Sequence, residues 1–230
     1  FRRVLFRSPL SSAALTVPPP LPDRGPPHYR EHMNEARWVI ERAYDNPALD
    51  KGEHATLDRI LALFDVAESR WAEIEELCQQ IPRALIHGDI AERNVRIRSR
   101  SDDGTAGKNA TSRLGPTAAD AVYAFYWEVS GWGLPVVDLG YADLHLYWTL
   151  VRDHWCNLEL DTLTRLVQVG KLLRGGIAAT GWTALSLTTA WPASAVADMK
   201  VYDRRMTDAM RGIGRSEEHT SELQSQFRIS

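Results

Sequence analysis

At Pro82 the hydrophobic period of the chain changes. Before it, Ile60, Phe64, Ala67, Trp71, Ile74 and Cys78 recur at spacings of three and four, the stripe of a helix with one face in a core. The spacing predicts one helix over 53–79, with Glu68, Glu73 and Glu76 on its solvated side. Beyond Pro82, Ala84-Leu85-Ile86 is a short apolar run, His87 to Asn94 a polar turn, and Val95-Arg96-Ile97-Arg98 alternates strictly, as a half-buried strand does. A second strand is expected over 121–127, pairing with 95–98 across the flexible insertion 99–119, which is rich in Ser, Gly, Asp, Thr and Lys. A helix is also expected from Tyr29 to about Tyr44, closed by Asn46-Pro47, and three more at 138–153, 158–179 and 183–210. These are interrupted by Asn157, Gly175-Gly176 and Pro192. A mostly helical body carrying a small β-hairpin is an α+β arrangement.

The two ends are set apart from that body. Residues 1–8 (FRRVLFRS) and 215–230, which open with RSEEHTSELQS, look like translated sequencing adapters and are excluded from fold reasoning. Residues 9–27 form a Pro-rich connector, and 28–214 are the expected lobe of an open-ended fragment. The whole chain has 27 basic and 30 acidic residues. The excluded ends carry five arginines and three glutamates, so the remainder is more acidic still. No basic block survives, which argues against nucleic acid or an anionic membrane as partner. Cys78 and Cys156 are too few for a disulfide framework and read as packed thiols. No apolar run approaches the ~20 residues of a membrane span, and a cytoplasmic location is the default expectation.

The chemistry concentrates in His87-Gly88-Asp89-Ile90-Ala91-Glu92-Arg93-Asn94, of the form HGDxxxxN, set between two strands. Downstream, Trp127-Glu128-Val129-Ser130-Gly131-Trp132-Gly133-Leu134-Pro135-Val136-Val137-Asp138-Leu139 forms a second block. Together they resemble the catalytic loop and following motif of the aminoglycoside phosphotransferase/choline kinase family, over about 28–212. The resemblance implies the C-terminal lobe of a protein-kinase-like fold, ATP and Mg²⁺ as cofactors, and phosphorylation of a hydroxyl on a small molecule.

By that resemblance Asp89 accepts or orients the substrate hydroxyl proton, and Asn94 offers a neutral amide oxygen to Mg²⁺. His87 orients the loop, Gly88 permits close backbone approach, and Asp138 braces the loop from the start of the next helix. Read without the resemblance, Asp89 is a turn carboxylate, Asn94 a turn former, His87 a structural histidine and Asp138 an N-cap.

Two departures stand out. The family pattern has an acid immediately before Trp-Glu, where this chain has Tyr126; a tyrosine is a poor ligand for a hard cation. Tyr126 marks a true pseudokinase, a metal role passed to Glu128 two positions along the expected strand, or a one-base sequencing error. The Gly-rich loop and strand lysine of an N-terminal lobe are absent from 9–80, and without them the fragment itself is expected to be inactive.

Asp143, Asp153, Glu159 and Asp161, with Trp132, Tyr141, Trp148 and Trp155, are compatible with an amine-bearing substrate. Core packing and solvated helix ends explain the same residues more simply. The contrasting function is a binding or scaffold pseudokinase. Oligomeric state is not legible.

Overall fold

The computed structural model describes residues 21–98, 121–140, 142–155 and 158–227, with backbone only for 97–98, 121–122 and 215–227. The insertion at 99–119, Tyr141, Cys156 and residues 1–8 lie outside the described residues. The element order is β1 (Asp23–Arg24), α1 (Pro26–Ala43), α2 (Lys51–Ser69), α3 (Trp71–Cys78), β2 (Ala84–Ile86), β3 (Val95–Arg98), β4 (Ala121–Ala124), β5 (Gly131–Gly133), α4 (Leu144–Val151), α5 (Leu160–Gly170), α6 (Ala179–Ala184) and α7 (Ala193–Phe227). A π-helical stretch, Lys171–Ala178, joins α5 to α6, and 3-10 turns occupy Glu92–Asn94, Pro135–Asp138 and Leu185–Thr188. The molecule is therefore α+β and mostly helical. No helix among the described residues is long and apolar enough to cross a membrane.

Local chemistry accounts for the starts of the helices. Pro26 and Pro27 occupy the first positions of α1, where no backbone donor is missed. Asp50 and Glu53 form a reciprocal capping box on α2, each carboxylate accepting the other's backbone N–H at 2.8 Å. The expected stripe is buried throughout: Ile60, Phe64, Ala67, Trp71, Ile74 and Cys78 all belong to one core cluster. Burial pushes the Cys78 thiol up to about 12, helped by the Glu75 charge.

Several boundaries differ from the sequence reading. The helix expected over 53–79 is two helices, because Arg70 leaves helical geometry at φ −105°, ψ 13°. Its guanidinium then pairs with Glu73 at 2.8 Å. Glu73 is also 3.7 Å from Arg165, so it is a half-buried bridge and not part of a fully solvated face. β4 ends at Ala124, so Tyr126 and Glu128 are not in a strand. The helix expected from Asp138 begins at Leu144, capped by Asp143, whose Oδ1 accepts the Leu146 N–H at 3.0 Å. Gly175-Gly176 does not interrupt its helix; the chain passes through as the π-helical stretch. Within the Pro-rich 9–27 segment, β1 joins the body of the fold. α7 continues past Met210 into the adapter-like tail, where Glu217, Glu218, Glu222, Leu223 and Gln224 are good helix formers.

β5 is the middle strand of the larger sheet, parallel to β1 and antiparallel to β2, with Leu85 opposite Trp132 and Ile86 opposite Gly131. β3 and β4 make a separate antiparallel hairpin with Val95 opposite Ala124. β2 and β5 thus bring the HGD turn and the second sequence block side by side. α7 packs over α2, α5 and the π-helical stretch, while α1 covers the other side of that stretch and α6.

Candidate active site

β2 delivers its chain directly into the turn His87-Gly88-Asp89. Asp138, at the end of the 3-10 turn after β5, holds this turn. Its Oδ2 accepts the His87 N–H at 2.7 Å and its Oδ1 the Gly88 N–H at 2.9 Å. Burial raises the Asp138 carboxyl above the ordinary carboxylate range, and the amide donors of His87, Gly88 and Ile90 oppose that rise. Gly88 has φ +79°, and a Cβ there would lie 2.7 Å from the Val129 carbonyl oxygen. Conformation and space both require glycine at this point.

His87 is buried and bonded through both ring nitrogens. Nδ1 accepts the Asp89 N–H at 3.1 Å, which leaves Nε2–H to donate to the Phe125 carbonyl at 2.8 Å. The ring also packs on Trp127, centroids 4.6 Å apart. His87 thereby ties the turn to the end of the hairpin. Phe125 N–H in turn donates to the Asn94 carbonyl at 2.9 Å.

These contacts set the Asp89 carboxylate among three donors. Arg174 reaches Oδ1 at 2.5 Å, Arg93 reaches Oδ2 at 3.1 Å, and Asn94 Nδ2 donates to Oδ2 at 2.9 Å. The same Asn94 nitrogen also donates to the Asp89 backbone carbonyl at 2.8 Å. Arg174 additionally donates through Nε to the Gly88 carbonyl and lies 4.2 Å over the Trp182 ring. Burial holds this guanidinium below its ordinary value, the Asp89 charge working against that. Beside Asp89 opens a cleft of about 560 Å³ bounded by the turn, the π-helical stretch, α6 and α7.

His87, Gly88, Asp89, Asn94 and Asp138 therefore converge on one site. Asp138 does not cap a helix; the turn N–H groups are its partners. Tyr126 follows the hairpin, 64% exposed, with φ +66° among described non-glycine residues otherwise free of positive φ. Glu128 is exposed in the turn beyond it.

The donors do not complete a Mg²⁺ site. Asn94 donates to Asp89 through its amide nitrogen, which leaves its oxygen for a cation, but Tyr126 stands where an acid is expected, and Glu128 is not on a shared strand face with it. No group of three or more His, Cys, Asp or Glu side chains suited to a metal occurs among the described residues.

Among the described residues, none of those considered for an amine site lines the cleft. Trp148 donates to the Leu158 carbonyl at 2.7 Å, Trp155 packs on Tyr147, Trp132 lies in β5, Asp143 caps α4, and Asp153, Glu159 and Asp161 are exposed. Tyr141 is outside the described residues.

Arg174 escaped the sequence reading. A signal was available: at helical spacing it shares a face with Gly170, Ile177 and Ala178, all buried. A cation on such a face calls for an anionic partner. No family model, curated protein or solved structure matches this chain.

Proposed function

We propose that the gene product is an ATP-dependent phosphotransferase of a protein-kinase-like fold, acting on a hydroxyl of a small molecule. The observation that carries this reading is the clamp of Asp138 on the His87 and Gly88 amides, which presents Asp89 at the edge of the cleft with Asn94 behind it. In this role the Asp89 carboxylate orients the acceptor hydroxyl and takes its proton as the acceptor oxygen bonds to the γ-phosphorus and the bond to the departing ADP breaks. The positioning is built into the turn, as such transfers require. No step is assigned to a metal, because the donors for one are incomplete.

The experiment is ATP-dependent phosphorylation of a panel of hydroxylated small molecules by the complete gene product. Asp89→Asn is expected to lower kcat by about 10²–10⁴-fold while nucleotide affinity stays near wild type. Retention of more than about a third of kcat would leave Asp89 a turn residue without a general-base role.

A second reading, a pseudokinase-like scaffold, is favoured by Tyr126 in place of an acid and by the engagement of Asp89 with two arginines. Absence of transfer to every acceptor in the panel by the complete product, with nucleotide binding also absent, is its expected signature.

A further inference from the structure

The cleft beside Asp89 has a charge balance opposite to that of the chain as a whole. Its charged lining consists of Arg93, Lys171, Arg174 and Arg205 against Asp89 and Asp208. Asp89 is already engaged by Arg93 and Arg174, and Asp208 lies 3.6 Å from Arg211. Lys171 and Arg205 face the cleft with no carboxylate partner among the described residues. Arg174 uses Nε and one Nη2 hydrogen on Gly88 and Asp89. Three of the five guanidinium hydrogens therefore remain for another acceptor.

The aromatic faces of the cleft point the same way. An ammonium ligand would seek Trp182 or Tyr202, but Arg174 sits 4.2 Å over the Trp182 ring and Arg205 is 5.9 Å from the Tyr202 ring. Both rings already have a cation. Trp182 also meets the His32 ring in an edge contact, centroids 6.1 Å apart. Thr183 and Tyr202, their hydroxyls 3.3 Å apart, add neutral groups suited to sugar-like hydroxyls.

We propose that this cleft selects an anionic ligand, a small polyhydroxylated compound carrying a carboxylate or a phosphate, and excludes amine-bearing ones. The inference rests on the phosphotransferase reading only for the ligand's role as acceptor. The anion pairs with Lys171 and Arg205 and takes the spare Arg174 donors, which directs a ligand hydroxyl toward Asp89.

Binding is measured by calorimetry on the purified chain with four probes: gluconate, glucose 6-phosphate, sorbitol and choline. The anionic probes are expected to bind at least roughly tenfold more tightly than sorbitol, as a focused positive field provides, with choline not binding. Whichever of gluconate and glucose 6-phosphate binds more tightly identifies carboxylate or phosphate as the preferred group. Salt at about 0.5 M should weaken the anionic probes selectively. The double variant Lys171→Gln/Arg205→Gln, altered at exposed positions, should fold normally and lose about fivefold or more in anion affinity.

Sorbitol or choline binding as tightly as the anions, no anion binding, or a double variant with unchanged affinity would overturn the proposal. The two readings fail separately. Transfer of phosphate to choline by the complete product sinks the anion inference and leaves the phosphotransferase. Anion binding without transfer to any acceptor does the reverse.

Discussion

Asp138 shows how much of the site depends on one carboxylate accepting backbone donors. Its two oxygens satisfy consecutive N–H groups of a turn whose second residue has positive φ. Asp138→Asn keeps one acceptor but turns an NH₂ toward the other amide. A stranded, enclosed donor costs about 1–3 kcal/mol, so chemical denaturation should show a loss of that size, and the Asp89 turn should loosen with it. A change below about 0.5 kcal/mol would mean that the turn holds itself.

Tyr126 presents the opposite case, a residue in a conformation its side chain does not favour. At φ +66° a non-glycine residue costs about 1–2 kcal/mol, and Asp or Asn tolerates the region better than Tyr. The side chain is exposed, so its replacement sacrifices little burial. Tyr126→Asp should therefore stabilise the fold by a few tenths of a kcal/mol up to about 1. In the complete product it should also make nucleotide binding more dependent on Mg²⁺, since it restores a hard anionic ligand near Asn94. Lower stability with an unchanged Mg²⁺ titration would remove both the strain argument and the metal argument. Glu128→Gln alone should leave the titration unchanged.

Element by element, what was legible in the sequence followed from hydrophobic period and local capping chemistry. The buried stripe from Ile60 to Cys78 and β2 come from patterns within a few residues, and the pairing of β3 with β4 from two alternating runs on either side of one polar insertion. The break at Arg70 was not legible, because Ser69-Arg70 contains neither glycine nor proline, and besides its local pair with Glu73 the Arg70 side chain reaches a partner far away in sequence, the Met210 carbonyl. The start of α4 was missed for a related reason: Asp138 and Asp143 are equally good caps in sequence, and only the proximity of the His87 turn decides which is free for that work.

Two glycines, one ending α5 and one inside the π-helical stretch, test how closely that segment packs. A Cβ at Gly175 would meet nothing within 4 Å, whereas one at Gly170 would overlap the Val136 carbonyl oxygen in the 3-10 turn that ends at Asp138. Gly175→Ala should raise stability by about 0.4–1 kcal/mol through the unfolded chain. Gly170→Ala should lower it by about 1–3 kcal/mol through overpacking. Equal effects in urea titrations would contradict the close approach of α5 to the Asp138 turn.

Over the whole molecule, the same proximity that builds the site also leaves a pH-sensitive seam where α1 meets the cleft wall. His28, near the start of α1, is packed edge-on against His32, centroids 4.5 Å apart. Arg24 Nη1 lies 3.2–3.3 Å from its ring nitrogens. Burial, then the neighbouring His32 and Arg24 charges, lowers its pKa to about 4. Burial lowers His32 as well, with Glu35 opposing.

Because these folded-state values lie below the unfolded one of 6.5, the unfolded chain binds more protons as pH falls. The stabilising contribution is present in full above about pH 6.5 and is lost progressively toward pH 4. Asp23, held below its ordinary value by Arg83, loses its contribution only at more acidic pH. Asp138, raised by burial, acts with the opposite sign, so the net slope alone does not isolate the histidine. His28→Gln does. Since the ring is only partly buried, screening leaves roughly 1 kcal/mol of linkage for the variant to remove. The drop in urea midpoint between about pH 7 and about pH 4.5 should be smaller in His28→Gln than in the parent. If both lose the same midpoint, protonation of His28 is not what loosens α1, and the acid sensitivity belongs to the carboxylates instead.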